Sequence, residues 1–121
     1  MLKNSAKFFK KIYVATGYTD LRCGINGLAA KIELDFGHKA YDKDVLYLLC
    51  GKRNDRIKGL VWEGDGWLLV YKRLEKENHF TWPRTGTEAI SINEQQFDWL
   101  MHGFSIHASV NEVYEPPKHY L

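Results

Sequence analysis

The apolar positions of this 121-residue chain follow two different periods. Leu21, Ile25, Leu28, Ile32 and Phe36 recur at intervals of 4, 3, 4 and 4, which stacks them on one face of a helix. Thr19 suits an N-cap, Asp20 complements the positive end of the helix dipole, and Gly37 supplies a stop. A second helix is expected in INEQQFDWLMHG. There Asn93 and Gln96 have capping-box spacing, Ile92 can staple onto Phe97, and Gly103 can terminate the segment. Its buried stripe would be Phe97, Leu100, Met101 and Phe104.

Between residues 38 and 84 the period shortens to that of strands. VLYLLC (45–50), RIKGLVWE (56–63) and WLLVYKRL (67–74) are β-rich, and the joints GKRND and GDG are short enough for hairpins. An earlier strand is expected over 12–16, and a shorter one, HFTW (79–82), before Pro83. The lysine-bearing start reads as a basic arm over 1–11, the domain proper as 12–104, and the stretch 105–121, with its double proline, as an extension. The expected fold class is α+β: a small antiparallel β-meander sheet packed with two α-helices in a single domain.

Composition narrows the class. Apolar residues make up 45% and charged residues 26%, ordinary values for a folded globular domain. The run Val45 to Cys50 is too short to cross a bilayer, and the opening residues lack the apolar stretch of a secretory signal. Cys23 and Cys50 form neither a CxxC pair nor a disulfide framework, so reduced thiols and a cytoplasmic location are expected. Seventeen cations against 15 acids give +2, which argues against a polybasic tail protein yet allows a local basic patch. Aromatic residues reach 14%, and every tryptophan lies between Trp62 and Trp99.

Most catalytic constellations are missing. There is no Walker sequence, and GDGWLL lacks the third glycine and following helix of a dinucleotide loop, so GDG is read as a turn. The histidines at 38, 79, 102, 107 and 119 show neither HExxH nor a His/Cys cluster, and no GxSxG occurs. Asp20, Asp55, Glu63 and Asp65 are acids of the kind that hold Mg²⁺ for phosphodiester cleavage. However, Asp20 serves as a first-turn helix acid, and Glu63 and Asp65 flank a turn at the far end of the strand from Asp55. No catalytic residue, metal ligand or cofactor is therefore expected.

What remains is a basic, aromatic hairpin. Lys52, Arg53, Arg56 and Lys58 surround the first joint, and Lys72 and Arg73 close the third strand. A tight turn at GDG sets residues near 73 opposite those near 56, gathering the cations at one end of the ribbon. Trp62, Trp67, Tyr71 and Trp82 are interleaved with them. Cations beside planar rings suit a phosphate backbone and exposed bases; the plainer alternative is that the rings fill the core while the cations solvate the other face. Gly24 and Gly27, placed inside the first helix, would each cost it about 1 kcal/mol relative to Ala. Such glycines imply close approach of a backbone or ligand: either a phosphate or partner chain docks beside Arg22 and Asn26, which share the polar face, or the helix packs tightly on the sheet.

Two runs carry a family resemblance. TDLRCGINGLAAKI (19–32) resembles the opening motif of the TnpB-type transposition accessory proteins of the IS-sixty-six family of insertion sequences. KRNDRIKGLVWEGDGWLLVYKRLEKENHFTWP (52–83) resembles that family's longer block of cations, acids and tryptophans. The matching positions include Asp20, Arg22, Gly24, Gly27, Arg53, Asp55, Arg56, Lys58, Trp62, Lys72, Arg73, Glu75, Phe80, Trp82 and Pro83. The resemblance implies an accessory factor encoded beside a larger transposase that carries its own catalytic acids, and no enzymatic activity. From residues and resemblance together, the expected contacts to DNA or a partner are Arg22, Arg53, Arg56, Lys58, Trp62, Lys72, Arg73 and Trp82. The expected partners are the element's transposase and DNA, whether element ends or non-specific, with no membrane; the oligomeric state stays open. The alternatives are an adaptor that binds only the transposase, and a metal-dependent nuclease built on Asp55, Glu63 and Asp65.

Overall fold

A computed structural model describes residues 1–86 and 89–107, with only the backbone of His38. Its frame is an open five-stranded mixed sheet. The strands are β1 (Lys11–Val14), β2 (Val45–Cys50), β3 (Arg56–Trp62), β4 (Trp67–Arg73) and β5 (Ile90–Ile92), in the order β4-β3-β2-β1-β5. Helix α1 (Ile25–Phe36) links β1 to β2, and α2 (Glu94–Met101) follows β5. The expected meander is present, because β2, β3 and β4 pair antiparallel through their two short joints. β1 joins that meander in parallel, Ile12 beside Leu46 and Val14 beside Leu48, with α1 in the crossover that parallel strands require.

Both faces of this sheet are covered. Leu28, Ala29 and Ile32 of α1 cluster with Tyr47, Leu49 and Leu60 on one face. Phe97, Leu100 and Met101 of α2 cluster with Ile12, Val14, Leu48, Phe80 and Trp82 on the other. All six residues of β2 are buried, which explains why VLYLLC is continuously apolar rather than alternating. From the opening segment, Leu2, Ala6 and Phe9 pack against the α2-side cluster, and two 3-10 turns, Leu2–Asn4 and Ala6–Phe8, carry Lys3 and Lys7. Among the described residues, no helix is long and apolar enough to cross a membrane.

α2 is built as its sequence signals require. Asn93 Oδ1 accepts from the Gln96 N–H at 2.8 Å, and Gln96 Oε1 accepts from the Asn93 N–H at 3.0 Å. Gly103, at φ +89°, occupies backbone space that a side chain would strain. α1 differs from expectation at its start. Its N-cap is Gly24, with no side-chain cap, and Thr19 lies six residues before the first helical residue. The Thr19 N–H donates instead to Cys50 O at 2.9 Å, holding the chain against the end of β2. Leu21 still packs with the α1 cluster, but from a loop, so its helical spacing is coincidental.

Two further elements depart from the sequence pattern. HFTW is not a strand: Phe80 and Trp82 are core residues on an irregular segment tied by the Phe80 N–H to Asn54 O at 2.6 Å. The fifth strand is instead Ile90–Ile92, pairing antiparallel with β1. Three residues are too few to show a period, and only the free edge of β1 makes them a strand.

Candidate nucleic-acid interface

Because β1 and β2 are parallel, their C-terminal ends emerge together, and the loops that follow them rise side by side. Between these loops lies a cleft of about 490 Å³. Tyr18, Asp20 and Arg22 form one wall, and Lys52, Arg53 and Arg56 the other. Crevices at the carboxyl ends of parallel strands are common ligand sites. This one holds four cations and one acid, with Asp55 adjacent.

Two bidentate pairs shape the cleft. The Arg22 guanidinium donates to both Asp20 oxygens at 3.0 Å, and the Arg22 backbone N–H adds a third bond of 3.0 Å. Those side-chain hydrogen bonds foremost hold the Asp20 carboxyl down at about 2. Arg56 is clamped in the same way by Asp55, at 2.9 and 3.1 Å, and this lowers the Asp55 pKa. Lys52 and Arg53 are exposed and make no ion pair among the described residues. They are the cations most available to an anion.

Arg84, which the sequence reading passes over, joins the two walls. Its Nη1 donates to Gly17 O at 2.7 Å and its Nη2 to Gly51 O at 2.7 Å, with a further bond to Asn54 Oδ1. The guanidinium also lies 4.4 Å from the centre of the Tyr18 ring. Tyr18 stays 62% exposed, an aromatic ring backed by a cation beside a basic cleft. No local signal marks Arg84, since the carbonyls it binds lie 67 and 33 residues away. Beneath it the Cys50 thiol is buried, and desolvation raises its pKa, which makes it a core group rather than a nucleophile.

The structure brings together only part of the expected cation cluster. Arg56 and Arg73 are direct cross-strand neighbours, as the GDG turn predicts, and each is neutralised by its own acid, Asp55 or Glu75. Lys58 shares their face but points inward, donating to Leu21 O at 2.6 Å and lying 5.5 Å from the Tyr71 ring. Lys72 faces the α2 side, since side chains alternate and its cross-strand partner is the buried Ile57. Desolvation, then the nearby Lys3, lowers the Lys72 pKa.

Neither tryptophan lies beside these cations as a stacking surface. Trp62 is at the opposite end of β3 from Arg56, edge-on to Trp67 at 5.3 Å and to Tyr41 at 5.0 Å. Trp82 is buried at 5% exposure, and its Nε1–H donates to Ala15 O at 2.9 Å, so it is a core residue. The glycines of the first helix also have a local explanation. Gly24 precedes the helix with open space around it, while a Cβ on Gly27 would meet Cys23 Cβ at 2.9 Å.

For metal-dependent cleavage the acids are badly placed. Asp55 pairs with Arg56 at one end of β3, and Glu63 and Asp65 lie beyond its other end, about 25 Å away at strand rise. Among the described residues, no three His, Cys, Asp or Glu side chains come together to hold a metal.

Comparison with known proteins adds a family. The family model described as IS66 Orf2 like protein matches residues 10–111. The chain is also 31% identical over 93 residues to the uncharacterized protein y4hO of Sinorhizobium fredii, covering 77% of this chain and 79% of the relative. The uncharacterized protein y4jC of the same organism is 32% identical over 93 residues, covering 77% and 78%. No solved structure gives a significant match.

Proposed function

This chain belongs to the IS66 Orf2-like family, whose role as an accessory to transposition is the premise from which we propose a DNA-binding, non-enzymatic task for it. The observation that carries the reading is the cleft between the β1 and β2 loops. Lys52 and Arg53 stand there, in no ion pair among the described residues, between Arg22 and Arg56, with the exposed Tyr18 ring at the rim. Unpaired cations in a concave site attract phosphate, and an exposed ring accepts an unpaired base. The paired arginines are held in fixed geometry by Asp20 and Asp55, so the net positive charge of the site comes from Lys52 and Arg53. The test is fluorescence-anisotropy binding to labelled element-end DNA and to scrambled DNA, at low and physiological salt. Salt-sensitive binding that weakens when Lys52 and Arg53 become Ala supports the site, and equal binding by the double variant overturns it.

The aromatic cluster of Tyr41, Trp62 and Trp67 favours a second contact, with the element's transposase. Tyr41 is 43% exposed at the far end of the sheet from the basic cleft, and rings of this kind anchor protein interfaces. Co-purification with the transposase that survives nuclease treatment, and is lost in Tyr41→Ala, tests it. The alternative of a protein-only adaptor predicts that complex together with no DNA binding at either salt.

A further inference from the structure

The outer edge of the sheet is β4, which pairs with β3 without interruption from Trp67 to Arg73. Protein edges are usually blunted by a proline, a bulge or charge, and this one carries neither proline nor bulge. The direction of its backbone groups follows from two flanking bonds. The Glu63 N–H donates to Gly66 O at 2.9 Å, and the Leu74 N–H to Asp55 O at 2.6 Å. Antiparallel pairs alternate between bonded and non-bonded, so Leu68, Val70 and Lys72 bond to β3. Trp67, Leu69, Tyr71 and Arg73 therefore turn their N–H and C=O groups outward. Two of the three exposed residues of the strand are large and apolar or aromatic, Leu68 at 45% and Tyr71 at 52%, the third being Arg73.

We propose that β4 is a dimer interface, pairing antiparallel with β4 of a second copy about Leu69 and extending the sheet to ten strands. The inference is independent of the DNA reading. In this register Trp67 faces Tyr71 of the second copy, Leu69 faces Leu69, and each of these pairs exchanges two outward backbone bonds. On the other face of the sheet Leu68 meets Val70. The two charges that would otherwise guard the edge are accommodated: Arg73 comes alongside Asp65 of the second copy, and Lys72 faces Gly66, which has no side chain to repel it. The Arg73–Glu75 pair is solvent-exposed, at 56% and 72%, and is readily exchanged for the new one. A register centred on Val70 would instead set Asp65 against Glu75, so charge selects Leu69. The strand thus supplies both halves of each match, and that makes a second copy its natural partner. Antiparallel pairing also puts the two basic clefts at opposite ends of the joint sheet.

Light scattering during size exclusion, from low to high micromolar protein, tests this. The expected mass is twice the 14.1 kDa of the chain. Tyr71→Pro removes an outward N–H and no bond to β3, so it should give a 14.1 kDa species with an unchanged far-ultraviolet spectrum. Because proline can strain a strand, charge reversal provides a second route. Arg73→Asp and Asp65→Arg should each raise the dimer dissociation constant about tenfold, and the double variant should restore it. A wild type that stays at the single-chain mass overturns the proposal, as does a dimer indifferent to all of these changes.

Discussion

Arg84 holds its guanidinium 4.4 Å from the Tyr18 ring while donating to Gly17 O and Gly51 O, so a single side chain fastens the loop after β1 to the turn after β2. Replacing it by Ala leaves two backbone carbonyls without their donor. Arg84→Ala should lower stability by about 2 kcal/mol, read as a lower urea midpoint. Arg84→Lys should recover only part of this, because an ammonium cannot reach both carbonyls with a planar fork.

Lys52 and Arg53 should dominate salt-dependent binding. Each lost phosphate contact reduces the slope of log affinity against log salt by about 0.9 on duplex DNA. The Lys52→Ala/Arg53→Ala variant should therefore bind weakly with a flatter salt dependence, measured by anisotropy titration. Trp82→Phe should behave oppositely. It removes the N–H that satisfies Ala15 O and costs about 1–2 kcal/mol of stability, while affinity per folded molecule stays unchanged.

The two residues expected to cap helices should respond in opposite directions. Asn93 makes both bonds of a capping box, so Asn93→Ala should cost about 1 kcal/mol in chemical denaturation. Thr19 is 6% exposed, and its buried hydroxyl has no hydrogen-bond partner among the described residues. Thr19→Val keeps the shape and removes that polar group, so stability should be equal to or slightly above wild type. An N-cap at Thr19 would predict a loss instead.

The Asp20–Arg22 pair makes a pH-dependent prediction. The folded-state carboxyl sits at about 2, below its ordinary 3.8. The pair's stabilisation is therefore complete above the ordinary value and is lost as pH falls from about 3.8 through 2. A carboxyl-carbon NMR titration should place the Asp20 midpoint near 2, and Arg22→Ala should return it towards 3.8. A wild-type midpoint already at 3.8 would mean that the pair is not held in solution.

Signals confined to a few residues were legible in the sequence. The capping box of Asn93 and Gln96, the positive-φ stop at Gly37 and the GDG turn each act within about one helical turn or one hairpin. The turn also fixed the register, and so the pairing of Arg56 with Arg73 was readable from residue numbers alone. The same locality misled at α1. Leu21 has the right spacing, but Thr19 is drawn away by Cys50 O, a partner 31 residues further along the chain.

Everything that builds the cleft required the tertiary structure. The parallel alignment of β1 with β2 brings two loops together, and Arg84 reaches them from a third segment. Alternation along β4 turns Lys72 to the opposite face from Arg73, which no count of cations could show. Burial likewise makes Trp82 a core residue although the segment that carries it, HFTWPR, has the period of neither helix nor sheet. The physical reason is one of range. Propensity, capping and turn geometry are energies of neighbouring residues and can be read from the string, whereas the cleft depends on contacts that exist only once distant segments have packed.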